Sequence, residues 1–167
     1  PKEAKFIFYP SQFWPHKNHR LIIDALADLK NSHGLEIYGI FCGSDCGNLQ
    51  PILTYAQKSG VENLIRHVGF APDEHMPGYY KEAVALVMPS YFGPTNMPPV
   101  EAFTFGTPVV VADLPGFRDQ VGDAALLVNP HDPQALSQII VKLSKDSELC
   151  ENLILKGKER LLLFSDE

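Results

Sequence analysis

The sequence predicts an α/β fold, a doubly wound parallel sheet of about six strands in a single domain. Three observations carry that prediction. Short apolar, β-rich runs alternate with helical patterns along the 167 residues. The runs Ala83–Met88 and Pro108–Ala112 are apolar almost throughout, as strands covered on both faces should be. The chain is 45% hydrophobic, and its length suits one well-buried core better than two.

The elements follow in order. Lys5–Tyr9 reads as the first strand, and His19–Lys30 as a helix with Leu21, Ile22, Ala25, Leu26 and Leu29 on one face. Leu35–Cys42 is the second strand and ends in the turn cluster Gly43-Ser44-Asp45. Asn48–Ser59 is a helix stopped by Gly60, and Ile65–Gly69 is the third strand. Asp73–Glu82 is a short helix with Asp73 as its N-cap, leading into strand four, Ala83–Met88. Pro99–Phe105 is a helix closed by Gly106, and Pro108–Ala112 is strand five. A short helix over Phe117–Val121 precedes strand six, Ala124–Val128. Pro133–Leu143 and Ser147–Leu163 are two closing helices.

Composition narrows the function classes. The net charge is −6, from 14 basic and 20 acidic residues, with no Lys/Arg cluster of the kind that builds a nucleic-acid face. No apolar run reaches the roughly 18–20 residues of a membrane helix. Cys42, Cys46 and Cys150 are too few, and odd in number, for a disulfide framework, which suits a reducing cytoplasm. Cys42 and Cys46 have no partner pair for a zinc site. The chain starts almost on a strand and ends just after an apolar helical run, the pattern expected of part of a longer protein.

Ligands of open α/β sheets bind outside the carboxyl ends of the strands. The loop Tyr91–Pro99, with its prolines and a glycine, lies at such an end. Lys17 falls between the first strand and its helix, where a cation and free N–H groups can converge on a phosphate; it also reads as a solvated surface lysine. Glu101 in the first turn of its helix suits the dipole or a pair of ribose hydroxyls. The N–H groups of Asn96 and Met97, with the Thr95 and Asn96 side chains, offer donors to a pyrophosphate. His16 and His19 have the spacing of metal ligands but lack a third; Asn18 reads as an N-cap and His19 as a ligand-facing or surface residue. Neither a G-x-G-x-x-G nor a P-loop motif occurs, and there is no Asp-x-Asp or G-x-S-x-G.

In this order, Trp14-Pro15-His16-Lys17-Asn18-His19, Phe41–Asp45, Asn63–Phe70, Asp73-Glu74, Tyr80, Ala85–Ser90, Pro99–Phe103, Gly106–Val110 and Gly122–Pro130 span nearly the whole chain. Together they resemble the C-terminal, Rossmann-like domain of group 1 retaining glycosyltransferases with the GT-B fold. The resemblance implies that Lys17 contacts the donor diphosphate and Glu101 binds the ribose hydroxyls. It places Gly69, Phe70 and Ala71 beside the base, and Asn96, Met97 and Pro98 against the diphosphate and sugar. Gln12 and His16, with Thr95, complete the donor-binding set.

Two positions depart from the family pattern. The first glutamate of its Glu–seven residues–Glu motif falls at Gly93, and its usual arginine falls at Gln12. Gln12 can hydrogen-bond a phosphate but carries no charge. The implied reaction moves a hexosyl group from a nucleoside diphosphate sugar to a glycan or lipid-linked acceptor with retention, without a metal. By analogy His16–His19 leans towards GDP-mannose. The implied partners are the donor, an N-terminal GT-B domain and an acceptor, with the full enzyme cytoplasmic and peripheral at the inner membrane face. The isolated domain is then expected to bind nucleotide and transfer nothing.

Two other readings compete. A stand-alone binding or regulatory module of receiver type would need an acidic cluster at strand ends; Asp45 and Asp113 are available, but no acidic pair follows the first strand. A GT-B sugar-nucleotide epimerase would bind a similar donor without an acceptor.

Overall fold

A computed structural model describes residues 4–93 and 97–164. Six parallel strands form one sheet: β1 (Phe6–Pro10), β2 (Tyr38–Cys42), β3 (Ile65–His67), β4 (Ala85–Met88), β5 (Val109–Ala112) and β6 (Leu126–Val128). Their order is β3-β2-β1-β4-β5-β6. Ile7 and Phe8 of β1 pair with Gly39 and Ile40 on one side and with Ala85 and Leu86 on the other. The doubly wound expectation holds. β4 and β5 are buried at every position, which is why their sequences show no alternation.

The helices are α1 (His19–His33), α2 (Leu49–Lys58), α3 (Met76–Glu82), α4 (Met97–Phe105), α5 (Pro115–Val121), α6 (Pro133–Lys145) and α7 (Ser147–Leu162). Strand order runs outward from β1 through β2 to β3, then reverses through β4 to β6. Right-handed crossovers therefore place α1 and α2 on one face and α3 to α5 on the other. The packing agrees: α1 contacts α2 and α6, while α4 contacts α3 and α7. The α4–α7 contact is close. A Cβ on Gly157 would stand 2.7 Å from the Phe103 ring, so this glycine lets α7 press α4 onto the sheet.

Some local expectations needed correction. Asp73 does not cap α3. It begins a turn in which Met76 N–H donates to the Asp73 carbonyl, and the helix starts at Met76 with Pro77 in its first turn. A helix starting with a proline in its first turn sacrifices no internal hydrogen bond. By the same logic α4 begins at Met97, before Pro98 and Pro99, rather than at Pro99. The caps that do form are Asp132 and Asp146, which accept from Ala135 N–H and Leu149 N–H, each at 2.9 Å. One turn of 3-10 helix, Pro15–Lys17, precedes α1 and carries Lys17.

Candidate donor-binding site

The strand order reverses between β1 and β4, and the loops leaving these strands diverge there into a crevice. A cavity of about 620 Å³ lies in it. Pro10, Gln12 and Lys17 line it from the β1 side, Met88 from β4, and Met97 and Pro98 from the start of α4. The structure thus brings four of the expected site residues, Gln12, Lys17, Met97 and Pro98, to one cavity.

Lys17 is held by its backbone. The Tyr9 hydroxyl donates to the Lys17 carbonyl at 2.8 Å. Since that uses the only phenolic proton, the Ser90 hydroxyl, also at 2.8 Å, must donate to Tyr9. Tyr9 is the penultimate residue of β1 and Ser90 follows β4, so this chain of bonds closes the switch point beneath the cavity. Burial raises the Tyr9 pKa to about 12, which keeps the proton in place. Partial burial lowers the Lys17 pKa below the ordinary lysine value, and no carboxylate pairs with it among the described residues.

Asn18 does not act as a side-chain cap. It sits at φ 57°, ψ 39°, a left-handed conformation that asparagine tolerates. Its Nδ2 donates to the Pro89 carbonyl at 3.1 Å and the Pro130 carbonyl at 2.9 Å. One buried amide therefore ties the loop after β1 to those after β4 and β6.

His19 is not on the surface: it is fully buried, at the wall of a small cavity shared with Pro15, Asn18 and Tyr91. Its ring stacks on Phe13 at 4.3 Å and lies 4.9 Å from Tyr9 and 5.1 Å from Phe41. Neither ring nitrogen has a hydrogen-bond partner, though the Ser11 carbonyl is near enough to oppose the shift weakly. Burial first, then the charges of Lys17 and His67, lower its pKa to about 3. His16 lies apart, in the 3-10 turn, stacked on Phe92 at 4.3 Å. Burial and Lys17 lower its pKa too. The two histidines do not share a helix face, and no metal-ligand cluster forms among the described residues.

Glu101 stands in the second turn of α4, not the first, because the helix begins at Met97. The Tyr80 hydroxyl donates to its Oε2 at 2.5 Å. Tyr80 is buried, and its pKa is raised by burial and by Glu101, so it remains a donor. Among the described residues no hydrogen-bond donor reaches the other carboxylate oxygen, Oε1. Pro98 and Pro99 carry no N–H, so of the first three residues of α4 only Met97 has a backbone donor.

Next to β2, the Gly69 carbonyl accepts from Gly43 N–H at 2.8 Å. Phe70 is 82% exposed, while Ala71 is buried. A Cβ on Gly43 would meet the Ser11 carbonyl oxygen at 2.3 Å, so this glycine lets the chain carrying Gln12 lie against the end of β2. Gly93 is described and supplies no carboxylate; Thr95 and Asn96 lie outside the described residues. The sequence does not reveal Tyr9, Ser90 and Asn18 as site supports, because these roles depend on partners more than 70 residues away.

The acidic residues a receiver would use are engaged elsewhere. Asp45 accepts from Gly47 and Leu49 N–H at the start of α2, and Asp113 pairs with Arg118.

Comparison with known proteins decides the family. The profile of glycosyl transferases group 1 matches residues 1–160.

The chain belongs to the group 1 glycosyltransferases.

Within that family it is 28% identical over 162 residues to the O-antigen chain mannosyltransferase B of Escherichia coli, covering 97% of this chain and 42% of the relative. It is 30% identical over 154 residues to the D-inositol 3-phosphate glycosyltransferase of Corynebacterium efficiens, covering 89% of this chain and 36% of the relative. The chain therefore spans less than half the length of these relatives. Sucrose-phosphate synthase of Thermosynechococcus elongatus superposes with a TM-score of 0.85 at 25% identity, over 98% of this chain and 42% of that one. The sheet is thus that of a GT-B Rossmann-like domain. No helix of the described residues is long and apolar enough to cross a membrane.

Proposed function

We propose that this chain is the donor-binding domain of a retaining hexosyltransferase. The donor is a nucleoside diphosphate sugar, GDP-mannose by preference, and the acceptor is a glycan or lipid-linked glycan. The observation that carries this reading is the crevice at the β1/β4 switch point, with Lys17 and Gln12 in its wall. A diphosphate in that crevice meets the Lys17 ammonium on one side and the Met97 N–H at the start of α4 on another. The backbone carrying each is fixed before the leaving group gains charge, Lys17 by Tyr9 and Met97 by its helix, so their stabilisation grows in the transition state with little backbone reorganisation. Lys17 is taken as the charge partner in place of a divalent metal. Glu101, with Oε2 held by Tyr80, offers Oε1 to a ribose hydroxyl.

The mannosyl preference is supported by the E. coli relative, a mannosyltransferase by name. Since the relatives are more than twice as long, acceptor binding is assigned to the portion of such enzymes that this chain does not match. This domain by itself then binds nucleotide and transfers no sugar.

Calorimetric titration with GDP tests the site. Lys17→Ala and Glu101→Ala should each weaken binding by about tenfold or more, the worth of a charge-assisted hydrogen bond. Glu82→Ala, on the exposed end of α3, should leave it unchanged. Equal effects of Glu101→Ala and Glu82→Ala would reject the ribose role.

A further inference from the structure

Gln12 stands where the family resemblance implies an arginine, yet its exposed side chain is not left to rotate freely. The Trp14 indole Nε1–H donates to Gln12 Oε1 at 3.1 Å. The backbone between them is tight as well, with Trp14 N–H donating to the Gln12 carbonyl at 2.9 Å. The intervening Phe13 is fully buried, and its N–H is bound to the Ser44 carbonyl at 3.0 Å. The indole has its own support. It lies nearly parallel to His16, at 6.5 Å and 19°, and His16 stacks on Phe92 at 4.3 Å and 17°.

A carboxamide has one accepting end and one donating end. Turned the wrong way, its oxygen would face a phosphate and repel it. With Oε1 taken by the indole, Nε2 and its two N–H groups are the free end of Gln12, in the same cavity wall as Lys17. We propose that Trp14 is a positioning residue: its indole N–H holds the Gln12 carboxamide so that Nε2 donates to the donor diphosphate beside Lys17. This rests on the donor-site reading above. It also shows how a neutral side chain serves where the family has a cation, through fixed orientation in place of charge.

The chain has a single tryptophan, so its indole N–H gives one NMR signal. UDP, GDP and ADP would be titrated into the unmodified chain, Trp14→Phe, Gln12→Ala and the double variant. Phenylalanine keeps a ring for the His16 stack and removes the donor. The indole signal should shift in Gln12→Ala and move on nucleotide addition in the unmodified chain. Trp14→Phe should weaken affinity about three- to tenfold when Gln12 is present, the range of one neutral hydrogen bond. In the Gln12→Ala background it should have little further effect, because a shared interaction is lost only once. Equal losses in both backgrounds, or no loss in either, would overturn the inference and leave the Lys17 site standing. Lys17 signals unmoved by every nucleotide would overturn the donor-site reading, and this inference with it.

Discussion

The Tyr80 hydroxyl and Glu101 Oε2 are 2.5 Å apart, joining α3 to α4 in a bond that fixes one oxygen of the carboxylate. Tyr80 is anchored in turn, because the buried Thr107 hydroxyl donates to its carbonyl at 2.7 Å, and its ring meets Phe8 edge-on at 5.1 Å. Tyr80→Phe keeps the packing and frees Glu101 to turn. It should weaken a ribonucleoside diphosphate about tenfold and leave a 2′,3′-dideoxy analogue unaffected. Parallel titrations of the two ligands measure the difference.

Asn18→Ala should destabilise the fold by roughly 2–4 kcal/mol, since it strands two buried carbonyls and places a Cβ-bearing residue without asparagine's local tolerance at positive φ. Asn18→Gly, which suits that φ, should recover only the conformational part. Denaturant unfolding of the three proteins separates the two contributions.

His19 gives a pH dependence of definite sign. Its folded pKa, about 3, lies below the unfolded value of 6.5, so in that interval the unfolded chain binds a proton that the folded chain does not. The stability it contributes is complete above pH 6.5 and is lost as pH falls towards 3, with a limiting slope of about 1.4 kcal/mol per pH unit. His19→Phe keeps the stack on Phe13 and removes two unpartnered buried nitrogens. The variant should match or exceed the parent in stability at pH 7 and show a shallower decline between pH 6 and 4. Unfolding curves across that range provide the comparison.

Gly43→Ala should lower both stability and nucleotide affinity, because its Cβ would collide with the Ser11 backbone and displace Gln12. Unfolding and GDP titration of the one variant should therefore change together, whereas Gly47→Ala, whose Cβ would meet nothing within 4 Å, serves as the comparison for positive-φ strain alone.

The strands were legible because their apolar runs reflect burial on both faces, as Ala85–Met88 and Val109–Ala112 show. Helix starts were less so. Asp73 looked like a cap and Pro99 like a beginning, yet the starts at Met76 and Met97 depend on which residues the turns can close around prolines. Of the site, Lys17 and Met97 could be found from their places at strand and helix ends, Gln12 and Pro98 only through the family resemblance, and the four share a cavity. The burial of His19 between Phe13, Tyr9 and Phe41 could not, because β1 and β2 meet only in the folded sheet. The same holds for Tyr80 and Glu101, which lie 21 positions apart.

The donor-site assignment is tested most directly by an NMR titration of this chain with GDP, UDP and ADP. The account predicts that at least one of them, GDP foremost, shifts the signals of Lys17, Met97 and Glu101 together at millimolar ligand, with Phe70 responding to the base. Signals at these positions that stay unmoved under all three nucleotides would contradict it.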